Sequence, residues 1–188
     1  SSAQNLPTAD ELSRDVPQTL DARQCFGCGL VQVDCEPVPY YREVVRAVAF
    51  SDEMRAFRQL QLAEFIKLHS LSGKRALEVG SGRGEYLELL TKAGMDPYGT
   101  EAGAEAHEQA TQMGYKVQKL FPDTCFPKLE GAPFDAFFSF NFMEHWPSPR
   151  DVLINIGRYL SADAVGLVEV PNFSMLIEKR MATEFIAD

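Results

Sequence analysis

The sequence predicts an α/β fold, in which a doubly wound parallel sheet follows a small cysteine-containing module. From Lys74 onward, short apolar runs alternate with helix-like segments, and two of those segments end at a glycine. The run FDAFFSF at 134–140 is almost continuously apolar, as is typical of a strand buried on both faces of a parallel sheet. This alternation implies right-handed crossovers and places ligands beyond the carboxyl ends of the strands.

Length, charge and cysteine content limit the classes of protein. With 188 residues, the chain can hold one domain and a small appendage. The net charge of -9 repels a phosphate backbone, so we expect no nucleic-acid partner. No apolar stretch approaches the roughly 18 residues of a membrane span, so we also expect no membrane partner. The chain lacks a signal-peptide pattern and its cysteines suit a reducing compartment, so the expected location is cytoplasmic.

Two domains are expected, with a boundary near residue 50. Residues 1–50 hold a polar lead-in and a turn-rich segment with three cysteines, and 51–188 form the second domain. A helix is expected over 51–69, because Asp52 and Glu53 suit its amino terminus. Six apolar residues at helical spacing are expected to pack on the core: Met54, Phe57, Leu60, Phe65, Ile66 and Leu68.

The second domain then alternates between strands and helices. Strands are expected at 75–79, 97–101, 115–118, 134–140 and 164–170. Helices are expected at 84–93, 103–113, 148–160 and 173–181, and the proline-rich stretch 119–133 is expected to be mostly loop. The last strand would present an apolar edge. We therefore expect that the sheet is truncated at the carboxyl end, and that further strands or a partner, such as a second copy of the chain, cover this edge.

A glycine-rich turn, Gly80-x-Gly82-x-Gly84, follows the first strand of this domain and opens a helix. It can be a tight turn that binds nothing, or it can hold the phosphates of a dinucleotide at the helix start. A dinucleotide fingerprint would place its third glycine one residue later. Glu78, two residues before the turn, would repel a pyrophosphate and would suit a ligand with a positive ammonium or sulfonium group.

Glu101 ends the second strand, 21 residues after Gly80. A carboxylate at this place can accept hydrogen bonds from both hydroxyl groups of a ribose, although it can also be a solvated group at a helix start. A ligand that combines a ribose with a cationic amino-acid moiety is S-adenosylmethionine. The two carboxylates and the glycine turn together therefore favour this cofactor.

Three segments, LEVGSGRGEYLELL, YGTE and FDAFFSFNFMEHWPSPRDVL, resemble the class I S-adenosylmethionine-dependent methyltransferases over about residues 74–172. The resemblance implies a Rossmann-like sheet and a set of cofactor-binding residues. Those residues are Glu78, Gly80, Ser81, Gly82 and Gly84 at the turn, Glu101 and Ala102 at the ribose, Leu120 and Phe121 at the adenine, and Phe140 and Asn141 beside the methionine part. The adenine segment often contains an Asp in this family, whereas here it is apolar.

The resemblance also implies the reaction, an in-line transfer of a methyl group to an acceptor. His145, next to Glu144, follows the fourth strand and is the candidate general base, because an imidazole titrates near neutral pH. The Glu-His pair can instead cap the turn and shape the cofactor pocket. The expected acceptor is a small molecule or a glycan. A catalytically silent binding module and an NAD-linked oxidoreductase remain alternatives.

The cysteine module contains Cys25-x-x-Cys28, with Cys35 seven residues later. It resembles the second knuckle of the zinc ribbon that precedes the sugar C-methyltransferase-like subgroup, which implies a structural zinc ion on Cys25 and Cys28. Four ligands are usual for structural zinc, and the earlier cysteine pair of that subgroup does not precede this one in the sequence. Either the natural protein extends upstream, or the metal site has been lost, or Cys35 substitutes as a ligand. A redox dithiol is the alternative.

Overall fold

The computed structural model describes residues 8–14, 19, 21–33, 51–122, 128–146, 148–172, 174, 178 and 179. The chain divides into two units, Ser1–Val44 with Asn172–Asp188, and Val45–Pro171, which are described separately. Cys35 and most of the expected helix at 173–181 lie outside the described residues. The expected domain boundary near residue 50 stays a prediction.

The first unit contains a short antiparallel hairpin. Strand β1 (Ala22–Gln24) pairs with β2 (Val31–Val33), and Arg23 lies opposite Gln32. The connecting turn carries both cysteines of the Cys-x-x-Cys motif. It is closed by hydrogen bonds from the Cys25 N–H to the Leu30 carbonyl (2.8 Å) and from the Gly29 N–H to the Cys25 carbonyl (2.9 Å).

The second unit is a five-stranded, all-parallel sheet with helices against it, as the sequence predicts. Its elements are α1 (Asp52–Leu68), β3 (Arg75–Val79), α2 (Glu85–Lys92), β4 (Asp96–Glu101), α3 (Ala104–Gln112), β5 (Lys116–Lys119), β6 (Phe134–Phe140), α4 (Pro149–Gly157) and β7 (Leu160–Glu169). The strand order is β5-β4-β3-β6-β7. The chain thus winds outward from β3 to β5, crosses back, and winds outward again through β6. This reversal puts a crevice at the carboxyl ends of β3 and β6, where ligands bind in such sheets.

Alternate residues of the central strands face two separate apolar clusters. Ala76 and Phe138 face a cluster that includes Leu62 and Leu90 from the helices. Leu77 and Phe137 point the other way, into a cluster closed by α4 and by Trp146. The near-continuous apolar run of β6 therefore arises because both of its faces are covered.

The face of α1 that packs on the core differs from the sequence-based expectation. Met54, Phe57, Leu60 and Leu68 are exposed, so the expected apolar stripe is wrong at these positions. The buried residues are Arg58, Leu62 and Ile66, which recur at every fourth position and so share one face. The expected helix start is correct: Ser51 caps it by accepting a hydrogen bond from the Met54 N–H at 3.2 Å, and Asp52 and Glu53 lie in the first turn.

Strand β7 begins four residues earlier than expected and lies at one end of the sheet. It pairs with β6, and none of the described residues pairs with its other side. Within the described parts of the chain, no helix is long and apolar enough to cross a bilayer.

Candidate functional site

The glycine turn lies at the carboxyl end of β3, at the reversal of the sheet. The N–H groups of Gly80 and Ser81 both donate to the carbonyl of Thr100 on β4, at 3.0 and 2.9 Å. Gly80 has a φ of 81°, and a Cβ there would lie 2.3 Å from the ring of Phe142. Only glycine combines this backbone conformation with this close ring contact. The turn is therefore held by β4 on one side and by an aromatic ring on the other.

Glu78 is a buried carboxyl group, and the described residues place no counter-ion against it. Its side chain is 1% exposed, and its Oε2 atom has no hydrogen-bond partner among the described residues. Burial raises the pKa of Glu78 well above its usual range, and the nearby charges of Glu85 and Glu101 raise it further. A buried carboxyl group with one oxygen left unsatisfied by the described residues, at the mouth of a crevice, is suited to binding a positively charged ligand.

Glu101, at the end of β4, is held in place by the backbone. Its Oε2 atom accepts a hydrogen bond from the Gly82 N–H at 2.9 Å, and its Oε1 atom accepts one from the Gly103 N–H at 2.6 Å. Burial raises the pKa of Glu101, while the N–H donors of Gly103, Gly82 and Ala102 act against this rise. Each carboxylate oxygen can accept more than one hydrogen bond, so Glu101 can still receive donors from a ligand.

The expected adenine segment lies directly beside these groups. The Leu120 N–H donates to the Glu101 carbonyl at 3.0 Å, and Leu120 and Phe121 are half-buried. The Phe121 ring meets the Phe142 ring edge to face, with centroids 6.0 Å apart. Phe142, which the sequence did not single out, thus links the glycine turn to the apolar segment after β5. The side chain of Ser81 packs against Gly99 of β4, where a Cβ on Gly99 would lie 2.4 Å from the Ser81 hydroxyl oxygen.

The end of β6 forms the far wall of the crevice. Phe140 stacks on Tyr86 of α2, with ring centroids 4.1 Å apart. Asn141 follows with a φ of 48°, in the left-handed region. Its N–H donates to the Glu169 carbonyl at 2.9 Å, and its side-chain Nδ2 donates to the Glu169 carboxylate at 3.1 Å.

Arg58 of α1 also belongs to this wall, and sequence reasoning missed it. The residue is 5% exposed, and its guanidinium forms an ion pair with Glu169. The guanidinium carbon lies 5.5 to 5.9 Å from the ring centroids of Phe57, Tyr86 and Phe140. Its Nε atom has no hydrogen-bond partner among the described residues. The available signal was that Arg58, Leu62 and Ile66 recur at intervals of four residues, which puts a charge on the buried face of α1.

The candidate acid-base pair lies on the turn after β6. Met143–His145 form a short 3-10 helix, in which Glu144 is exposed and His145 is half-buried. The His145 ring lies 6.2 Å, centroid to centroid, from the ring of Phe142. The ring of Phe142 therefore lies between His145 and the glycine turn. Its role as a base stays a prediction.

The two cysteines of the hairpin form a separate candidate site in the first unit. Both thiols are free and exposed. Backbone N–H groups of Cys28 and Gly27, and then the thiol of Cys28, donate to the Cys25 sulfur and lower its pKa. No cluster of three or more metal-ligating side chains occurs among the described residues. The residues present therefore supply two of the four thiolates that a structural zinc ion commonly takes.

Comparisons with known proteins agree with this geometry. A family model described as a methyltransferase domain matches residues 54–186. The ubiquinone biosynthesis O-methyltransferase of Methylococcus capsulatus is 30% identical over 96 residues, which cover 48% of this chain and 40% of the relative. The enzyme of the same name from Nitrosococcus oceani is 31% identical over 109 residues, which cover 52% of this chain and 44% of the relative. This chain thus spans about half the length of the curated relatives it matches.

A similar fold occurs in the plantazolicin methyltransferase BpumL, whose structure was solved in complex with SAH. The TM-score is 0.55 at 20% sequence identity, over 70% of this chain and 53% of that one. At this identity the likeness concerns the fold alone. The family model, however, matches well over half of the residues, and the chain therefore belongs to the methyltransferase-domain family.

Proposed function

We propose that this protein is an S-adenosylmethionine-dependent methyltransferase. The observation that carries the proposal is the buried carboxyl group of Glu78, whose Oε2 atom has no partner in the described part of the chain, beside the backbone-bound carboxylate of Glu101. A cationic nucleoside matches both groups, because its positive charge can meet Glu78 while its ribose hydroxyls reach Glu101. A dinucleotide does not, since its pyrophosphate would face Glu78.

The remaining walls of the crevice suit the other parts of this cofactor. Leu120, Phe121 and Phe142 offer an apolar, aromatic surface for an adenine ring. The Nε atom of Arg58, which no described residue pairs with, is a buried cationic donor for the carboxylate of a methionine moiety. When bound, S-adenosylmethionine would supply a methyl group already activated by its sulfonium. The protein then has to hold the acceptor in line, exclude water and accept a proton.

For the acceptor, we propose a small molecule that carries a hydroxyl group. The two curated relatives quoted above are named O-methyltransferases of ubiquinone biosynthesis, which supports this class. The sequence-based expectation was a small molecule or a glycan, and a glycan acceptor stays a prediction. His145, with Glu144 beside it, is our candidate for the group that removes the hydroxyl proton.

Isothermal titration calorimetry with S-adenosylmethionine and with NAD tests the cofactor. We expect binding of S-adenosylmethionine only, and roughly 10- to 100-fold weaker binding in Glu78→Gln and Glu101→Gln variants. Asp163→Asn, at an exposed position of β7, is the matched control that removes one carboxylate elsewhere. Binding of NAD instead would refute the proposal. If the cofactor binds tightly but an acceptor screen yields no S-adenosylhomocysteine, the alternative of a silent binding module is favoured.

We also propose that Cys25 and Cys28 are two of the ligands of a structural zinc site. The support is the pair of backbone N–H donors directed at the Cys25 sulfur, because such donors stabilise a thiolate. Metal analysis of the purified protein, before and after Cys25→Ser, tests this. We expect about one zinc ion per chain, lost in the variant. A metal-free protein that accepts no added zinc contradicts the proposal.

A further inference from the structure

We propose that Glu169 is a positioning residue of the cofactor site. Its carboxylate joins Arg58 on α1 to Asn141 on the turn after β6, and so sets the shape of the crevice wall beside the methionine part of the ligand. This inference rests on the proposed function, because that function gives the wall its ligand.

The first observation is that Glu169 contacts Asn141 twice. Glu169 is the last residue of β7 and lies opposite Phe140 in the parallel pairing with β6. Its main-chain carbonyl accepts the Asn141 N–H at 2.9 Å, and its Oε1 atom accepts the Asn141 side-chain amide at 3.1 Å. A single residue therefore restrains both the backbone and the side chain of Asn141.

The second observation is the backbone conformation of Asn141. A φ of 48° is costly for most residues other than glycine, and asparagine is one of the few that adopt it. The two bonds from Glu169 favour this conformation over the relaxed alternatives. Without the carboxylate, we expect the turn after β6 to lose its fixed direction.

The third observation is the environment of Arg58. Three aromatic rings surround the guanidinium, and the side chain is almost completely buried, so it needs a counter-ion close by. The carboxylate of Glu169 is this counter-ion and accepts a hydrogen bond from Nη2 of Arg58. The side-chain oxygen of Gln61 accepts a second one from Nη1 of Arg58 at 2.7 Å. These two bonds fix the planar guanidinium and leave Nε as its donor without a partner among the described residues. Glu169 thereby holds in place the group that we assign to the methionine carboxylate.

A purely structural ion pair and a positioning residue differ in which ligands they affect. Loss of a structural pair weakens every ligand of the crevice through general loosening. Loss of a positioning residue at the methionine end weakens S-adenosylmethionine but spares 5′-methylthioadenosine, which has the same nucleoside and lacks the amino-acid part. The ratio of the two affinities therefore separates the two roles.

The test is calorimetric titration of both ligands into the wild type, Glu169→Gln and Asn141→Ala. For each variant we expect the affinity for S-adenosylmethionine to fall about tenfold, while that for 5′-methylthioadenosine changes less than about twofold. Asp163→Asn is the matched control on the same strand, and neither affinity should change. Equal losses for both ligands, or no loss for either, would overturn the inference.

A folding defect does not leave the question open. If Glu169→Gln fails to fold, Asn141→Ala decides, because its side chain is exposed and it removes the bond to the Glu169 carboxylate while keeping the Arg58 ion pair. An unchanged affinity ratio in Asn141→Ala then overturns the inference. A wild type that binds neither ligand contradicts the proposed function itself, which is a different result from an unchanged ratio.

Discussion

At the scale of single residues, the site depends on carboxyl groups that differ in their partners. Glu101 is satisfied by the backbone N–H groups of Gly82 and Gly103, whereas Glu78 has an oxygen without a partner among the described residues. An unsatisfied buried group destabilises the fold that contains it. Glu78 is therefore better explained by a ligand than by the stability of the protein alone.

A substitution at Glu78 tests whether this carboxyl group lowers the stability of the ligand-free protein. The folded state raises the pKa of Glu78 above its ordinary value of 4.5, so the folded protein binds this proton more tightly than the unfolded chain does. As pH rises above about 4.5, this carboxyl group costs stability. We expect Glu78→Gln to raise the free energy of unfolding at pH 7 by on the order of 1 kcal/mol, measured by urea denaturation.

Glu88 provides a control, because its charge should affect the free energy of unfolding in the opposite direction. Hydrogen bonds from Lys92 and Arg55 lower the pKa of Glu88, so its charge stabilises the folded state at neutral pH and this benefit is lost as pH falls through its folded pKa. Because the pair with Arg55 is about one-third exposed, Glu88→Gln should cost less than about 1 kcal/mol. If both variants shifted stability in the same direction, our account of Glu78 would be wrong.

The raised pKa of Glu78 also predicts that cofactor binding is linked to protons. A cation binds best to the ionised carboxylate, so the affinity for S-adenosylmethionine should increase as pH rises through the pKa of the empty site. Binding at a pH below that pKa should release protons. Titrations in two buffers with different ionisation enthalpies measure this release, and Glu78→Gln should abolish it. A pH-independent affinity contradicts the role assigned to Glu78.

How far residues could be predicted from the sequence depended on their separation along the chain. Glu78, the glycines and Glu101 follow one another within 24 residues and have a recognisable spacing, so they could be found before the structure. Arg58 and Glu169 are 111 residues apart, and no local pattern indicates that they meet. Phe142 was missed for a similar reason, since its contact with Gly80 arises only when β3 and β6 become neighbours.

At the scale of elements, α1 shows where periodicity fails. The helix carries apolar residues around most of its circumference, so its pattern does not single out one buried face. The strands of the sheet were easier to predict, because β6 is apolar throughout and glycines follow the helices that connect the strands. Which side of α1 packs on the sheet is decided by the tertiary fit of Leu62 and Ile66 beside the Arg58 ion pair.

Two leucines on α1 test this assignment. Leu62 is completely buried in the cluster beneath the helix, whereas Leu60 is 69% exposed. We expect Leu62→Ala to lower the free energy of unfolding by about 2–5 kcal/mol, because it leaves a cavity. Leu60→Ala should change it by less than about 0.5 kcal/mol. Chemical denaturation of the two variants measures both values, and similar losses would mean that the exposed face of α1 is covered.

At the scale of the whole molecule, the topology explains why the functional residues converge. The pairing of β3 with β6 brings the glycine turn against Phe142, and the pairing of β3 with β4 brings the end of β4 to the same edge. Residues from α1, α2, β3, β4, β6 and β7 thus meet at one crevice.

The net charge of -9 leads to a prediction about partners of the whole protein. Binding to a nucleic acid requires Lys and Arg side chains that replace the counterions of the phosphates. An acidic surface repels the phosphates instead. We expect a fluorescently labelled DNA duplex and a labelled RNA hairpin to show no change in anisotropy at protein concentrations up to about 100 µM and physiological salt, where non-specific binders already respond. A steeply salt-dependent interaction would reveal a basic surface, and the acceptor class proposed here would then have to include nucleic acids.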